Sequence, residues 1–429
     1  MKKALSLVLA LALILCSASA MADPKTLDNL SPRGIKVQPA GLNETIPGVS
    51  PTTGRNLNEI DYKDGFLGLA VTGQYQPMMV QISNANNGIG IYTGDGDKGG
   101  QPYRNAPVNG AYADVVYEAL QKKNGSETRM SFIFSDTIPD YAGFTRSTRL
   151  THCRIRQEWN CVFCTSGYTV KDVPKEWKAL GVTDPKSKQI SNKNPGIIYV
   201  GDYNKPWKAY VFRLHPYTSP NNQVFNLTGL MNNIVPKDHV PYNHTWKFTD
   251  GRPTTGDSGE VIYVQWGKRP NNNTDSRLEY DPNTNTYTRF VTVDKLGDLP
   301  YCENTLSNPE IEKVKEKGKT VTKVTVDDMS VGEPITFSNV IVQSIEMKWR
   351  GAVRPDPVLT GSGNADFFMC GTHVSGVWER KDMDSRTVFY GPDGQEIELQ
   401  RGRTLIILAG YHNDEKTGQK TVETRVSYE

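Results

Sequence analysis

Two acidic residues, Asp114 and Glu118, stand four apart, and arginines follow at Arg129, Arg146, Arg149 and Arg154. The stretch from Ala111 to Lys123 reads as a helix. Asn109 can cap it, Val115, Val116, Ala119 and Leu120 give it an apolar face, and Gly125 stops it. Residues four apart share a helix face, so both carboxylates would point the same way and call for cations. Arg129 begins the next strand and returns beside that helix. Arg146 and Arg149, three apart, fall on one side of a second helix. The pattern predicts one connected polar cluster of Glu118, Arg129, Arg146 and Arg149, with Asp114 at its edge. Ser147 and Asn84 complete the candidate ligand-binding residues. Three guanidiniums against two carboxylates leave a positive excess that suits an anionic carboxylate or phosphate. The plainer reading is a structural ion-pair network joining helix to strand. A catalytic reading makes Glu118 a general acid that protonates a leaving oxygen, with Asp114 nearby.

After the first 22 residues five cysteines remain: Cys153, Cys161, Cys164, Cys302 and Cys370. The span Asn160 to Ser166 reads as a strand, where residues three apart face opposite ways. Cys161 and Cys164 should therefore not bridge each other, and Cys153 is expected to pair with one of them. A zinc set of those three with His152 is the alternative. The six histidines show no paired metal spacing, and no metal site or cofactor is expected. Asp95 to Gly100 resembles the start of a calcium loop but lacks the later ligands. Gly361-Ser-Gly363 lacks the strand-turn-helix setting of a nucleophile elbow and reads as a turn.

Positioning these residues falls to alternating strands and helices between about 70 and 240, which predict an N-terminal α/β domain. Strands are expected at Gln76 to Ser83, Thr128 to Ser135, Ile197 to Val200 and Trp207 to Leu214. Helices are expected at Arg146 to Trp159 and Val224 to Asn232. From 241 to 429 short strands dominate, separated by turns such as Gly391-Pro-Asp-Gly394, and predict a β-rich sandwich or partial barrel. Only Pro309 to Lys319 has helical character there. Residues 23 to 69, rich in Pro, Gly and Asn, read as an exposed linker or arm.

The chain has 429 residues, enough for two or three domains, with 49 basic and 47 acidic side chains. That balance argues against a nucleic-acid partner. Lys2 and Lys3, the apolar stretch Ala4 to Cys16 and the small residues Ala20 and Ala22 form a secretory signal, with cleavage expected before Asp23. No later stretch is long and apolar enough to span a bilayer. Membrane attachment would require lipidation of Cys16, where Leu15 stands in place of the usual small residue.

Ser50-Pro-Thr-Thr-Gly54, Ala113-Asp114 with Tyr117-Glu118, Thr128-Arg129 and Gly143-Phe-Thr-Arg146-Ser147-Thr-Arg149 resemble the YerB-like family of exported bacterial proteins. Later segments continue the resemblance in order: Tyr280-Asp281 with Tyr287 and Arg289, Asn339 to Gln343, Gly376-Val-Trp378, and Gly394 to Gly402. The family resemblance implies two domains, an N-terminal α/β and a C-terminal β-rich one, and an envelope location. It implies no established reaction. Two functions follow as expectations: a non-catalytic binder of cell-wall glycan or of an envelope protein, or a glycan-cleaving enzyme using Glu118.

Overall fold

The computed structural model describes residues 23–84, 106–182, 197–199, 206–215, 222–242, 245–268, 270, 274–293, 297–307, 310–316, 319–325 and 328–429. The expected secretory signal with Cys16 and the segment Asp95–Gly100 lie outside the described residues.

The first half supplies β1 (Lys25–Thr26), β2 (Met78–Asn84), β3 (Val115–Leu120), β4 (Thr128–Phe134), α1 (Leu150–Trp159) and β5 (Val162–Thr165). The second half supplies β6 (Val261–Trp266), β7 (Ser276–Asp281), β8 (Thr286–Val293), β9 (Asn339–Trp349), β10 (Gly361–Met369), β11 (Thr372–Arg380), β12 (Thr404–Asn413) and β13 (Thr424–Tyr428). One large sheet carries the order β11–β10–β9–β12–β3–β4–β2–β5. Its middle is a parallel seam in which Val115–Ala119 of β3 lies against Thr404–Leu408 of β12. Strands from both halves of the chain are thus neighbours in one sheet.

A second sheet, ordered β1–β13–β6–β7–β8, covers one face of the first. Val116, Leu120, Met130, Phe132, Leu405 and Ile407 share one core with Ile262, Trp266, Leu278 and Tyr287 of the second sheet. On the opposite face Val115, Tyr117, Ala119, Ile133, Ile406 and Leu408 pack with Leu150 and Trp159 of α1 and with Trp177, Trp246 and Trp378. Strands β3 and β4 are covered on both faces, so every position is buried and their apolar runs are continuous. The half-covered β6 alternates instead, with Ile262, Val264 and Trp266 buried and the residues between partly exposed.

Several expectations need correction. Ala111 to Lys123 is not a helix: Gly110–Tyr112 makes a single tight turn and Val115–Leu120 is a central strand. Val115-Val116-Tyr117 has the β-branched and aromatic character that favours a strand, and burial on both faces removed the alternation that would have marked one. The second helix begins at Leu150, which leaves Arg146 in the preceding loop. The segment read as helical near 309–319 contains the strand Glu310–Glu316, paired as a hairpin with Lys319–Thr325. Helices are few and short among the described residues, and the chain is β-rich. Residues 23–69 are not a free arm. Leu27, Ser50, Thr52, Thr53 and Phe66 are buried. Arg33 reaches across to the buried Asp366, both oxygens of which lie 2.8 Å from its Nη2.

Candidate functional site

The predicted cluster divides into three separate groups, and strand alternation decides where each residue goes. Glu118 stands opposite Met130 and Ala119 opposite Arg129 across the β3–β4 ladder. Opposed residues share a face and adjacent ones do not, so Glu118 and Arg129 point to opposite sides of the sheet. The single connected cluster is therefore wrong.

Glu118 lies between the two sheets and is 1% exposed. Its Oε1 accepts from Asn84 Nδ2 at 2.8 Å, Thr128 Oγ1 at 2.8 Å and Arg289 Nη2 at 3.2 Å. Burial raises its pKa against the opposing pull of Arg289 and those hydrogen bonds. Arg289 also stacks over Tyr301, its guanidinium carbon 4.7 Å from the ring centroid. Glu118 is thus buried and already hydrogen-bonded through Oε1, a setting that counts against a general-acid role. Asn84 belongs to this group and not to a surface ligand site. Arg289 was missed as the partner. Its signal was parity: it shares a strand face with the apolar Tyr287 and Val291, and a buried arginine needs a carboxylate.

Asp114 is elsewhere. Four residues along a strand separate it from Glu118 by about 13 Å, whereas a helix would have brought them together. Its Oδ2 accepts from Ser135 N at 2.6 Å, Ser135 Oγ at 2.8 Å and Asp136 N at 2.8 Å. Asp136 in turn accepts from Ser50 Oγ and Thr53 Oγ1, each at 2.6 Å. Burial first, and then the neighbouring Asp136 charge, push the Asp114 pKa well above the usual carboxylate range; burial also raises Asp136. The pair anchors the Ser50–Gly54 turn to the sheet. Gly54 needs its positive φ of 66° here, and a Cβ on it would strike Phe248.

The arginines do assemble, on the opposite face and without Glu118. Arg129 is buried; its Nη2 pairs with Glu127 Oε1 at 2.9 Å and its Nη1 donates to the Ser147 carbonyl. Arg149 Nη1 donates to the Thr148 carbonyl at 2.9 Å and to that of Ser147 at 3.4 Å. Lys122 also lies on Glu127, at 3.2 Å. Burial, then Arg149, and later Arg146 lower the Arg129 pKa to about 9. Arg146, Ser147 and Arg149 are half-buried and open to solvent. Arg154 is not a member: it pairs with Glu176 at 2.7 Å and with Asp356 at 2.9 Å.

All five cysteines are free thiols, so the expected bridge from Cys153 to Cys161 or Cys164 is not formed. Cys164 faces the core between the sheets and Cys161 the other, as strand alternation requires, and Cys153 on α1 packs in that second core. That division also prevents a zinc set from converging, and no group of three metal-ligating side chains occurs among the described residues. Burial pushes the Cys161 thiol up to about 12 and raises Cys153 and Cys164 as well, which keeps them protonated.

Two family models match the chain. Residues 108–232 match the N-terminal domain, and residues 262–406 the C-terminal domain, of a protein family of unknown function, DUF3048. The chain is also similar to the crystal structure of the YerB protein from Bacillus subtilis. That similarity has a TM-score of 0.54 at 16% identity and covers 87% of this chain and 99% of the other. At that identity the likeness speaks for the fold alone. A search of curated proteins finds no match. The chain belongs to the YerB-like DUF3048 family, whose function is unknown.

Proposed function

We propose that this is an exported cell-envelope protein that binds an envelope ligand without transforming it, and that the ligand contacts Arg146, Ser147 and Arg149. The ligand class is cell-wall glycan or a partner protein. One observation carries the reading: Arg146 and Arg149 of the cationic group are partly open to solvent, while the carboxyls suited to acid–base chemistry are enclosed. Among the described residues Arg129, Arg149 and Lys122 act on a single carboxylate, Glu127, and Arg146 adds to the charge acting on Arg129. Glu118, Asp114 and Asp136 are buried and already hydrogen-bonded. Among the described residues no helix is long and apolar enough to cross a membrane. The test is incubation of residues 23–429 with purified cell-wall material. Co-sedimentation is expected, with a loss in Arg146→Ala. Release of soluble fragments from the wall would refute a purely binding role.

A further inference from the structure

The first turn of α1 holds hydrogen-bond donors that meet no acceptor. His152 folds back over the helix start, where its Nδ1 accepts the Arg149 backbone N–H at 2.9 Å. An Nδ1 that accepts cannot carry the proton, so in the neutral ring the proton sits on Nε2. His152 is 1% exposed, and its Nε2 has no hydrogen-bond partner among the described residues. Burial, with Arg129 and Arg149 beside it, lowers the His152 pKa well below the usual value, which keeps the ring neutral and Nε2 a donor. Arg149 Nε is likewise buried without an acceptor. Buried donors are almost always satisfied in native proteins, so two orphans at one place point to a missing acceptor.

We propose that the N-terminal end of α1 is a phosphate-binding site formed by Arg129, Arg146, Arg149 and His152. This rests on the reading of the arginine cluster as the ligand site and adds the chemistry of the group bound there. Among the described residues Lys122, Arg129 and Arg149 all act on the one carboxylate Glu127, and Arg146 stands near enough to act on both Arg129 and Arg149. The donors arrive from different elements: Arg129 from β4, Arg146 from the loop before α1, Arg149 from the N-cap of α1 and His152 from its first turn. A tetrahedral oxyanion presents oxygens in several directions and can satisfy donors that converge this way, whereas a planar carboxylate offers two oxygens in one plane. The positive end of the ten-residue α1 adds to the attraction.

The test uses residues 23–429 and isothermal titration with inorganic phosphate, with sodium chloride at matched ionic strength as the control. Glycerol-phosphate oligomers and phosphatidylglycerol vesicles, tested in parallel, separate a soluble phosphodiester from a lipid headgroup. Two variants probe the site. Arg149→Ala removes one guanidinium. His152→Asn retains a short acceptor for the Arg149 N–H and removes the Nε2 donor. Each is expected to weaken phosphate binding about tenfold or more, since a hydrogen bond to a charged group is at stake. In the wild type the ¹⁵N shift of His152 Nε2 should move on phosphate addition. Absence of any phosphate response in the wild type, or equal binding by all three proteins, would overturn the proposal. Continued co-sedimentation with cell-wall material in that case would leave the binding function intact and remove only the phosphate chemistry.

Discussion

The buried Glu118–Arg289 pair predicts an asymmetry between its two deletions. Arg289 cannot lose its proton, and its Nε and Nη1 already lack acceptors among the described residues. Glu118→Gln would therefore leave a full charge unanswered at a position 1% exposed, at a cost of about 3–5 kcal/mol. Arg289→Met leaves a carboxyl, and a carboxyl can neutralise itself. Glu118 already has a raised pKa, and without Arg289 the largest opposing influence is gone. Protonated Glu118 can still accept from Asn84 and Thr128, so the loss reduces to one charged contact and the stacking on Tyr301. That amounts to about 1–3 kcal/mol under acidic conditions. The cost of Arg289→Met should then grow with pH. The folded pKa lies above the unfolded value of about 4.3, so the folded state holds more proton between the two, and stability falls as pH rises through that window. The double variant Glu118→Gln/Arg289→Met should recover about 1–3 kcal/mol relative to additivity. Urea unfolding at several pH values, followed by fluorescence and by far-UV dichroism to check that the transitions coincide, measures all four proteins. If Glu118→Gln proves no more costly than Arg289→Met, or if the two add, the pair is not the isolated charge couple argued for here.

Burial and mutual repulsion raise the Asp114 pKa and burial raises that of Asp136, so the contribution of this pair to stability should decline as pH rises from about 4. Asp136→Asn should flatten that slope, and an unchanged slope in pH-dependent melting would count against it. Arg33→Ala strands the carboxylate of Asp366, which leaves His373 Nε2 at 2.8 Å as a remaining partner; limited proteolysis should then cut within residues 23–60 faster than in the wild type. Cys153, Cys161 and Cys164 should resist alkylation at pH 8 in the native protein and react fully in denaturant, as mass spectrometry of alkylated peptides would record.

The half-covered strands of the second half were legible because they alternate. The positions buried in β6 are the ones a period of two selects, and the turn residues Asp281-Pro-Asn-Thr-Asn285 join β7 to β8. The central strand β3 was misread for the opposite reason. Its neighbours cover both faces, so Val115-Val116-Tyr117-Glu118-Ala119-Leu120 carries no alternation, and its Ala, Glu and Leu favour a helix equally well. The arginine cluster survived this error because Arg129, Arg146 and Arg149 meet through β4 and the loop before α1, whatever β3 does. Its carboxylate did not survive, because one step of strand parity exchanges Glu118 for Glu127. The Glu118–Arg289 contact spans 171 residues, and only the buried parity of Arg289 hinted at it.

The parallel seam between β3 and β12 also bears on how this chain reaches its native state. The paired residues Val115 and Thr404 lie 404 − 115 = 289 positions apart. The entropy of closing so long a loop grows only logarithmically, so the seam is affordable at equilibrium, but long-range parallel pairing is slow to find. β3 and β4 can meet early as a local hairpin. Until β12 arrives, the outer edge of β3 presents unpaired backbone and the apolar Val115, Val116 and Tyr117 to whatever strand comes first. A ribosome-bound or truncated chain ending anywhere before residue 404 would carry that open edge, and self-association through it is the hazard. The two family segments can be recognised separately in sequence, yet neither closes its own sheet, and high contact order ties the completion of the first to the arrival of the second.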